Sequence, residues 1–207
     1  MNNDLRILIA RTDRIGDVVL TTAIPREIKK NNSEAFVAVM VKEYTRDIFL
    51  ENLNVDKIII YDPQKSFWKT VYEIRKFNFS HAITLLPNER LNWVLFFAGI
   101  RTRIVTGFRF YQFITNSKSV FRRKYKPLRS EAEYCLDSIR KLGMKVDSNA
   151  SEIHLSVDEK EISESIRKRH TEQGKILVGI HVSSGNSAPN MKIEEYRKKS
   201  KSQGVHS

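Results

Sequence analysis

The stretch that decides the fold is Ile7–Thr22, I-L-I-A-R-T-D-R-I-G-D-V-V-L-T-T. A run of aliphatic residues from Leu5 to Ala10 stops at a polar turn, Arg11 to Arg14, after which Gly16 and Asp17 open a segment with helical apolar spacing. Strand, loop and helix in that order open an α/β sheet, whose ligands bind where strand carboxyl ends meet the amino ends of the following helices. Asp17 is thereby placed to face a substrate. An acid in a first helical turn is also favoured by the helix dipole with no ligand present, so the position alone leaves both roles open. Gly16, lacking a Cβ, lets a ligand or another chain approach the backbone.

Downstream, strands alternate with helices. Ala35 to Val41 is a continuous apolar run, as in a strand covered on both faces. Glu43 to Leu50 reads as helical, Lys57 to Tyr61 as a third strand, and Phe67 to Phe77 as a helix with apolar residues three and four apart. His81 to Leu86 is a fourth strand, Arg90 to Gly99 a helix, and Arg103 to Val105 a fifth strand ending at Gly107. This cadence predicts a parallel sheet with right-handed crossovers. Phe108 to Leu128 mixes aromatics with basic residues and reads as an irregular surface segment. Glu131 to Leu142 restores helical spacing, with Gly143 as its stop.

Lys145 to Leu155 reads as a linker, and Asp158 to Arg169 as a charged helix. Lys175 to Ile180 is a second buried-strand pattern, followed by a Ser- and Gly-rich loop from His181 to Asn190 and a helix from Lys192. That helix lacks apolar residues where they are needed, at Lys199, Ser200 and Gln203. The tail is therefore expected to be an exposed end left by truncation or a shifted frame.

The composition, 41% hydrophobic and 29% charged over 207 residues, is that of a globular protein with a real core. A formal charge of +12 predicts affinity for a polyanion without choosing among nucleic acid, anionic membrane and phosphorylated glycolipid. One cysteine, Cys135, excludes an intrachain disulfide framework and fits a reducing compartment. The polar start and the shortness of Trp93–Ile100, the longest apolar run, predict a cytoplasmic protein, at most peripheral to a membrane.

Two motifs carry a family resemblance. R-T-D-R-I-G-D-V-V-L-T-T-A-I-P, from Arg11 to Pro25, is similar to the N-terminal signature of the family 9 glycosyltransferases, the ADP-heptose:lipopolysaccharide heptosyltransferases. V-G-I-H-V-S-S-G-N-S-A-P-N-M-K-I-E-E-Y, from Val178 to Tyr196, resembles the opening of that family's nucleotide-binding half. Met191 departs from the tryptophan usual there, which bears on local packing or adenine-side contacts. The resemblance implies a GT-B fold, Rossmann-like parallel sheets flanked by helices, with only the start of the second half present. On that basis residues 1–144 are the acceptor-side domain, 145–157 a linker and 158–207 the incomplete start of the donor-nucleotide domain.

The implied reaction is transfer of heptose or a related sugar from a nucleotide diphosphate sugar, ADP-heptose or similar, to a lipopolysaccharide inner-core glycolipid. It would be inverting and independent of metal or cofactor. Asp17 matches the family's aspartate, the base that takes the acceptor hydroxyl proton; Asp13 has no matching role. Gly16, His181, Ser183, Ser184 and Gly185 are the implied donor contacts, the hydroxyl pair meeting the diphosphate at a helix start. A serine N-cap would look the same by spacing. Arg14, Arg109, Arg122, Arg123 and Lys124 are candidate acceptor contacts, within a basic stretch that also holds Arg101, Arg103 and Lys126 and that could equally be a solvated face.

No P-loop, dinucleotide fingerprint or Asp-x-Asp metal motif is present. Trp93–Ile100 reads as a buried helix face in preference to a shallow membrane contact, while a peripheral contact of the chain with the inner membrane is expected and nucleic acid is not. A GT-B site needs both halves, so the fragment alone is expected to bind donor weakly and to be inactive or impaired. The rival class is a non-enzymatic basic module binding nucleic acid or an anionic membrane surface, which explains the charge but not the two turns.

Overall fold

The computed structural model describes residues 5–120, 129–171 and 194. The chain divides into two compact units, Met1–Ser156 and Val157–Ser207. In the first, six parallel strands form one sheet: β1 (Arg6–Ala10), β2 (Phe36–Val41), β3 (Lys57–Ile60), β4 (His81–Thr84), β5 (Thr102–Thr106) and β6 (Lys118–Val120), in the order β3-β2-β1-β4-β5-β6. The order runs one way from β1 to β3 and the other way from β4 to β6. It therefore reverses between β1 and β4, the kind of position at which ligands bind in open α/β sheets.

The helices are α1 (Ile15–Val19), α2 (Ala23–Asn31), α3 (Phe67–Arg75), α4 (Glu89–Phe97), α5 (Phe110–Ile114) and α6 (Glu131–Arg140), with a 3-10 helix at Glu43–Phe49. Alternation along the strands sorts the core into two faces. Ile7, Ile9, Val37, Val39 and Ile83 pack with Ile24 and Ile28 of α2 and with Cys135, Leu136 and Ile139 of α6. Leu8, Ala10, Ala38, Met40 and Ala82 pack with Val71 and Ile74 of α3 and with Leu91, Val94 and Leu95 of α4. β1 and β2 are continuous apolar runs because both their faces are covered.

The helix expected after β1 is in two pieces. The Thr21 and Thr22 hydroxyls donate to the Val18 and Val19 carbonyls at 2.6 and 2.7 Å, diverting the acceptors that would continue α1. Pro25, which has no N–H to offer, falls in the first turn of α2. Gly143, with φ +85°, ends α6 as expected. In the segment read as irregular, the structure adds α5 and β6.

The stretch read as a linker is strapped along α2. Asn31 and Lys145 exchange hydrogen bonds of 2.8 and 2.9 Å, Glu27 accepts from the Asp147 N–H at 2.8 Å, and Thr22 accepts from the Glu152 N–H at 2.8 Å. Arg26 reaches the Ser148 and Ala150 carbonyls and the Glu152 carboxylate. Thr22, Arg26, Glu27 and Asn31 recur at helical spacing, so one polar edge of α2 satisfies the strap's backbone. In the second unit, α7 (Val157–His170) has acids in its first turn and bases in its last, as the helix dipole favours.

Candidate active site

The carboxyl end of β1, at the β1–β4 reversal, is organised by Arg11. Its backbone N–H still pairs with the Met40 carbonyl at 3.0 Å, so it extends β1, and its side chain, only 4% exposed, turns back under the loop. The guanidinium lies 2.6 Å from Asp13 (Nε), 3.2 Å from Asp17 (Nη2) and 3.2 Å from Glu131 at the start of α6 (Nη1). Nη1 also donates to the Leu85 carbonyl, just after β4, at 3.3 Å. Burial disfavours the Arg11 charge; the acidic groups of Cys135, Asp13 and Asp17 more than offset this and raise its pKa. A buried cation without such partners would cost several kcal/mol, on the order of 3–5.

Asp17 therefore stands on the first turn of α1, directly after β1, with its carboxylate tethered to Arg11 and 37% of its side chain open to solvent. Val18, one residue on, is fully buried and anchors that turn in the core. Gly16 is exposed, and a Cβ built there would meet nothing within 4 Å, so nothing in the chain crowds this edge of the turn. Arg14, the N-cap residue, is exposed, and the Val18 N–H bonds to its carbonyl at 3.0 Å. The Tyr44 hydroxyl donates to the Asp13 carbonyl and steadies the same turn. Asp13 is thus oriented by Arg11 and Tyr44 together.

Of the other candidates, Arg109 is exposed at the N-cap of α5, its N–H donating to the Gln112 side chain at 3.1 Å. His181, Ser183, Ser184, Gly185, Arg122, Arg123 and Lys124 lie outside the described residues. Arg103, read as part of the basic surface, is instead 6% exposed: it follows β5's inner face, donates to the Ile100 and Thr115 carbonyls and lies 5.2 Å from the Phe96 ring. It ties down the carboxyl ends of α4 and α5. Burial lowers its pKa. A hollow of about 410 Å³ between the 3-10 helix and the edge strand β3, lined by Glu43, Arg46 and Asp56 among others, does not include Arg11 or Asp17.

Arg11, Glu131 and Tyr44 were not singled out from sequence. For Arg11 a signal existed: a cation ending a strand covered on both faces cannot reach bulk water and must find acids. Glu131 offered none, because it lies 120 residues away.

The parallel, Rossmann-like sheet flanked by helices is the fold of GT-B type glycosyltransferases. Solved structures of family 9 glycosyltransferases share this fold. A family 9 glycosyltransferase from Veillonella parvula superposes with a TM-score of 0.75 at 20% identity, over 99% of this chain and 61% of that one. The Escherichia coli ADP-heptose lipopolysaccharide heptosyltransferase II gives 0.62 at 18% identity, over 79% and 50%. An E. coli heptosyltransferase solved with ADP-2-deoxy-2-fluoro heptose gives 0.53 at 14% identity, over 72% and 51%. Among curated proteins, one from Haemophilus influenzae named "Putative glycosyltransferase" is 26% identical over 92% of this chain. The chain spans 58% of that relative's length. No family model matches. These likenesses do not favour the non-enzymatic basic module.

Proposed function

We propose that this chain is the acceptor-side part of a sugar transferase of the heptosyltransferase type, using a nucleotide diphosphate sugar such as ADP-heptose as donor and an inner-core lipopolysaccharide glycolipid as acceptor. The observation that carries the proposal is the placement of Asp17: a solvent-reachable carboxylate at the β1–β4 reversal, fixed in direction by a buried arginine. In the reaction, Asp17 accepts the proton of the acceptor hydroxyl as that oxygen attacks the anomeric carbon and the nucleotide diphosphate departs from the opposite side, inverting the centre. Gly16 leaves room beside it for the sugar.

The donor diphosphate is assigned to His181, Ser183, Ser184 and Gly185, where a helix start and hydroxyls would meet its charge without a metal. Arg14 and Arg109, with Arg122, Arg123 and Lys124, are assigned to the phosphates and carboxylates of the acceptor. The proposed setting is the cytoplasmic face of the inner membrane.

The test is transfer from ADP-heptose to a deacylated inner-core acceptor, in a chimera joining residues 1–156 to a relative's donor-side half. Asp17→Asn is expected to lower kcat by at least about 100-fold, the usual worth of a general base, with thermal stability little changed. Full activity of the variant would remove Asp17 from the base role.

A further inference from the structure

The helical layer formed by α3, α4 and α5 has an outer surface unlike that of a water-facing layer. Trp68 and Tyr72 on α3 are each 63% exposed, Phe97 on α4 is 44% exposed, and Phe108, Phe110 and Phe113 around α5 are 79–80% exposed. The rings on α3 and α4 are joined: Phe97 lies 5.3 Å from Trp68, 5.9 Å from Phe67 and 6.1 Å from Trp93. α5 is tied to α4 beneath them, through Asn92 donating to the Thr115 hydroxyl at 2.8 Å and through Arg103. Exposed aromatic area on this scale marks a contact surface.

Charge says what kind of contact. The stretch from Arg90 to Ser130 holds no Asp or Glu, and among its described residues the exposed Arg101, Arg109 and Lys118 form no ion pair. On α6, across the sheet, the outward bases are matched instead: Arg129 and Arg140 both pair with Glu133 and Asp137. Uncompensated cations interleaved with Trp, Tyr and Phe are the composition of a surface that settles into an anionic lipid headgroup layer. Single-stranded nucleic acid would need ring faces free to stack on bases. Here the α3 and α4 rings are engaged with one another, mostly edge to face, so among the described residues the α5 rings stand as isolated apolar side chains, not as a continuous stacking platform. Among the described residues no helix is long and apolar enough to cross a membrane, so the contact would be shallow.

We propose that the α3–α4–α5 surface docks on a bilayer rich in anionic lipid, with Phe108, Phe110 and Phe113 entering the headgroup boundary and Arg101, Arg109 and Lys118 meeting lipid phosphates. Phe108 and Phe110 follow β5 at the carboxyl edge of the sheet, the edge that carries Asp17. Docking this way sets that edge beside the lipid surface. The docking itself rests on the aromatic layer and not on the transferase reading.

The experiment is cosedimentation of the 207-residue chain with phosphatidylglycerol-containing vesicles and with pure phosphatidylcholine vesicles, at about 0.1 and about 0.5 M salt. Binding is expected on the anionic vesicles, with a blue shift of tryptophan fluorescence, and roughly tenfold weaker on phosphatidylcholine or at the higher salt. The triple variant Phe108→Ser, Phe110→Ser, Phe113→Ser removes only exposed rings and is expected to cut partitioning at least about tenfold. Circular dichroism confirms that it folds, and Ile162→Ser on α7 serves as control. Unchanged partitioning of a folded triple variant overturns the proposal. So does binding to single-stranded DNA, or self-association of the chain, without vesicle binding. Vesicle binding by this chain, with no transfer by the chimera carrying a relative's donor-side half, would count against the transferase reading and leave this one standing.

Discussion

The two helical layers of this sheet each bury an arginine, and the two are satisfied in different ways. Arg11, on the α2–α6 side, is ringed by Asp13, Asp17 and Glu131. Arg103, on the α4–α5 side, holds two backbone carbonyls beside the Phe96 ring. The first arrangement joins a turn, a neighbouring strand end and a helix start at the reversal point, and fixes the direction of a carboxylate open to solvent. The second closes two helix ends, where the dipole and the unpaired carbonyls already favour a cation. Burial alone therefore does not tell the two arginines apart; what each charge is spent on does. The same division runs outward, since the α6 surface balances its charges while the α3–α5 surface keeps bare cations and rings.

The comparison is broken or sharpened first at Arg11. Arg11→Met keeps the volume but leaves three carboxylates facing one another, and unfolding in urea is expected to show a loss of about 3 kcal/mol. Asp17 and Glu131 can relax toward water, which keeps the loss from being larger. A loss under about 1 kcal/mol would mean that the acids do not depend on the guanidinium, and would remove the argument that Asp17 is held in place.

Arg103→Met comes next. It leaves the Ile100 and Thr115 carbonyls without their donor but also removes a cation that burial penalises, so the expected loss is about 1.5 kcal/mol by the same urea measurement. The difference between the two variants is the informative quantity. Equal losses would mean that Arg103 has an acidic partner of its own and that the two layers are not built differently.

Much of the fold was legible because its signals are local. β1 and β2 are unbroken apolar runs, the helices keep three-and-four spacing, and Gly143 marks a helix end by its freedom to take positive φ. β6 was not legible: K-S-V is too short and too polar to read as a strand until β5 is there to pair with it. Asp17 was readable from its place in the strand-turn-helix pattern, whereas the cluster that holds it depends on contacts spanning up to 120 residues. The aromatics from Phe108 to Phe113 suited core or surface equally, and only the packing of α5 on α4 decides between them.

The smallest expected effect tests the α2 side again, through pH. Burial would raise the Glu27 carboxyl, but the Asp147 N–H together with Arg26 and Lys30 outweighs it and holds the pKa below its ordinary value of 4.5. Glu152 is likewise lowered, its burial outweighed by Arg26 and His154. A carboxyl whose folded pKa is depressed contributes stability that is complete above the unfolded value and is lost as pH falls through the folded one. Acid should therefore loosen the strap below about pH 4.5, where Glu27 and Glu152 begin to take up protons on unfolding. Glu27→Gln should cost about 1 kcal/mol at pH 7 and approach nothing near pH 3, flattening the acid limb. Amide exchange supplies the local reading: the Asp147 and Glu152 N–H groups, which donate to Glu27 and Thr22, should lose protection in acid before the β1 and β2 amides do. Exchange of all four regions in step would mean that the strap is no more acid-sensitive than the sheet, and the contrast between the layers would then rest on their arginines and outer surfaces alone.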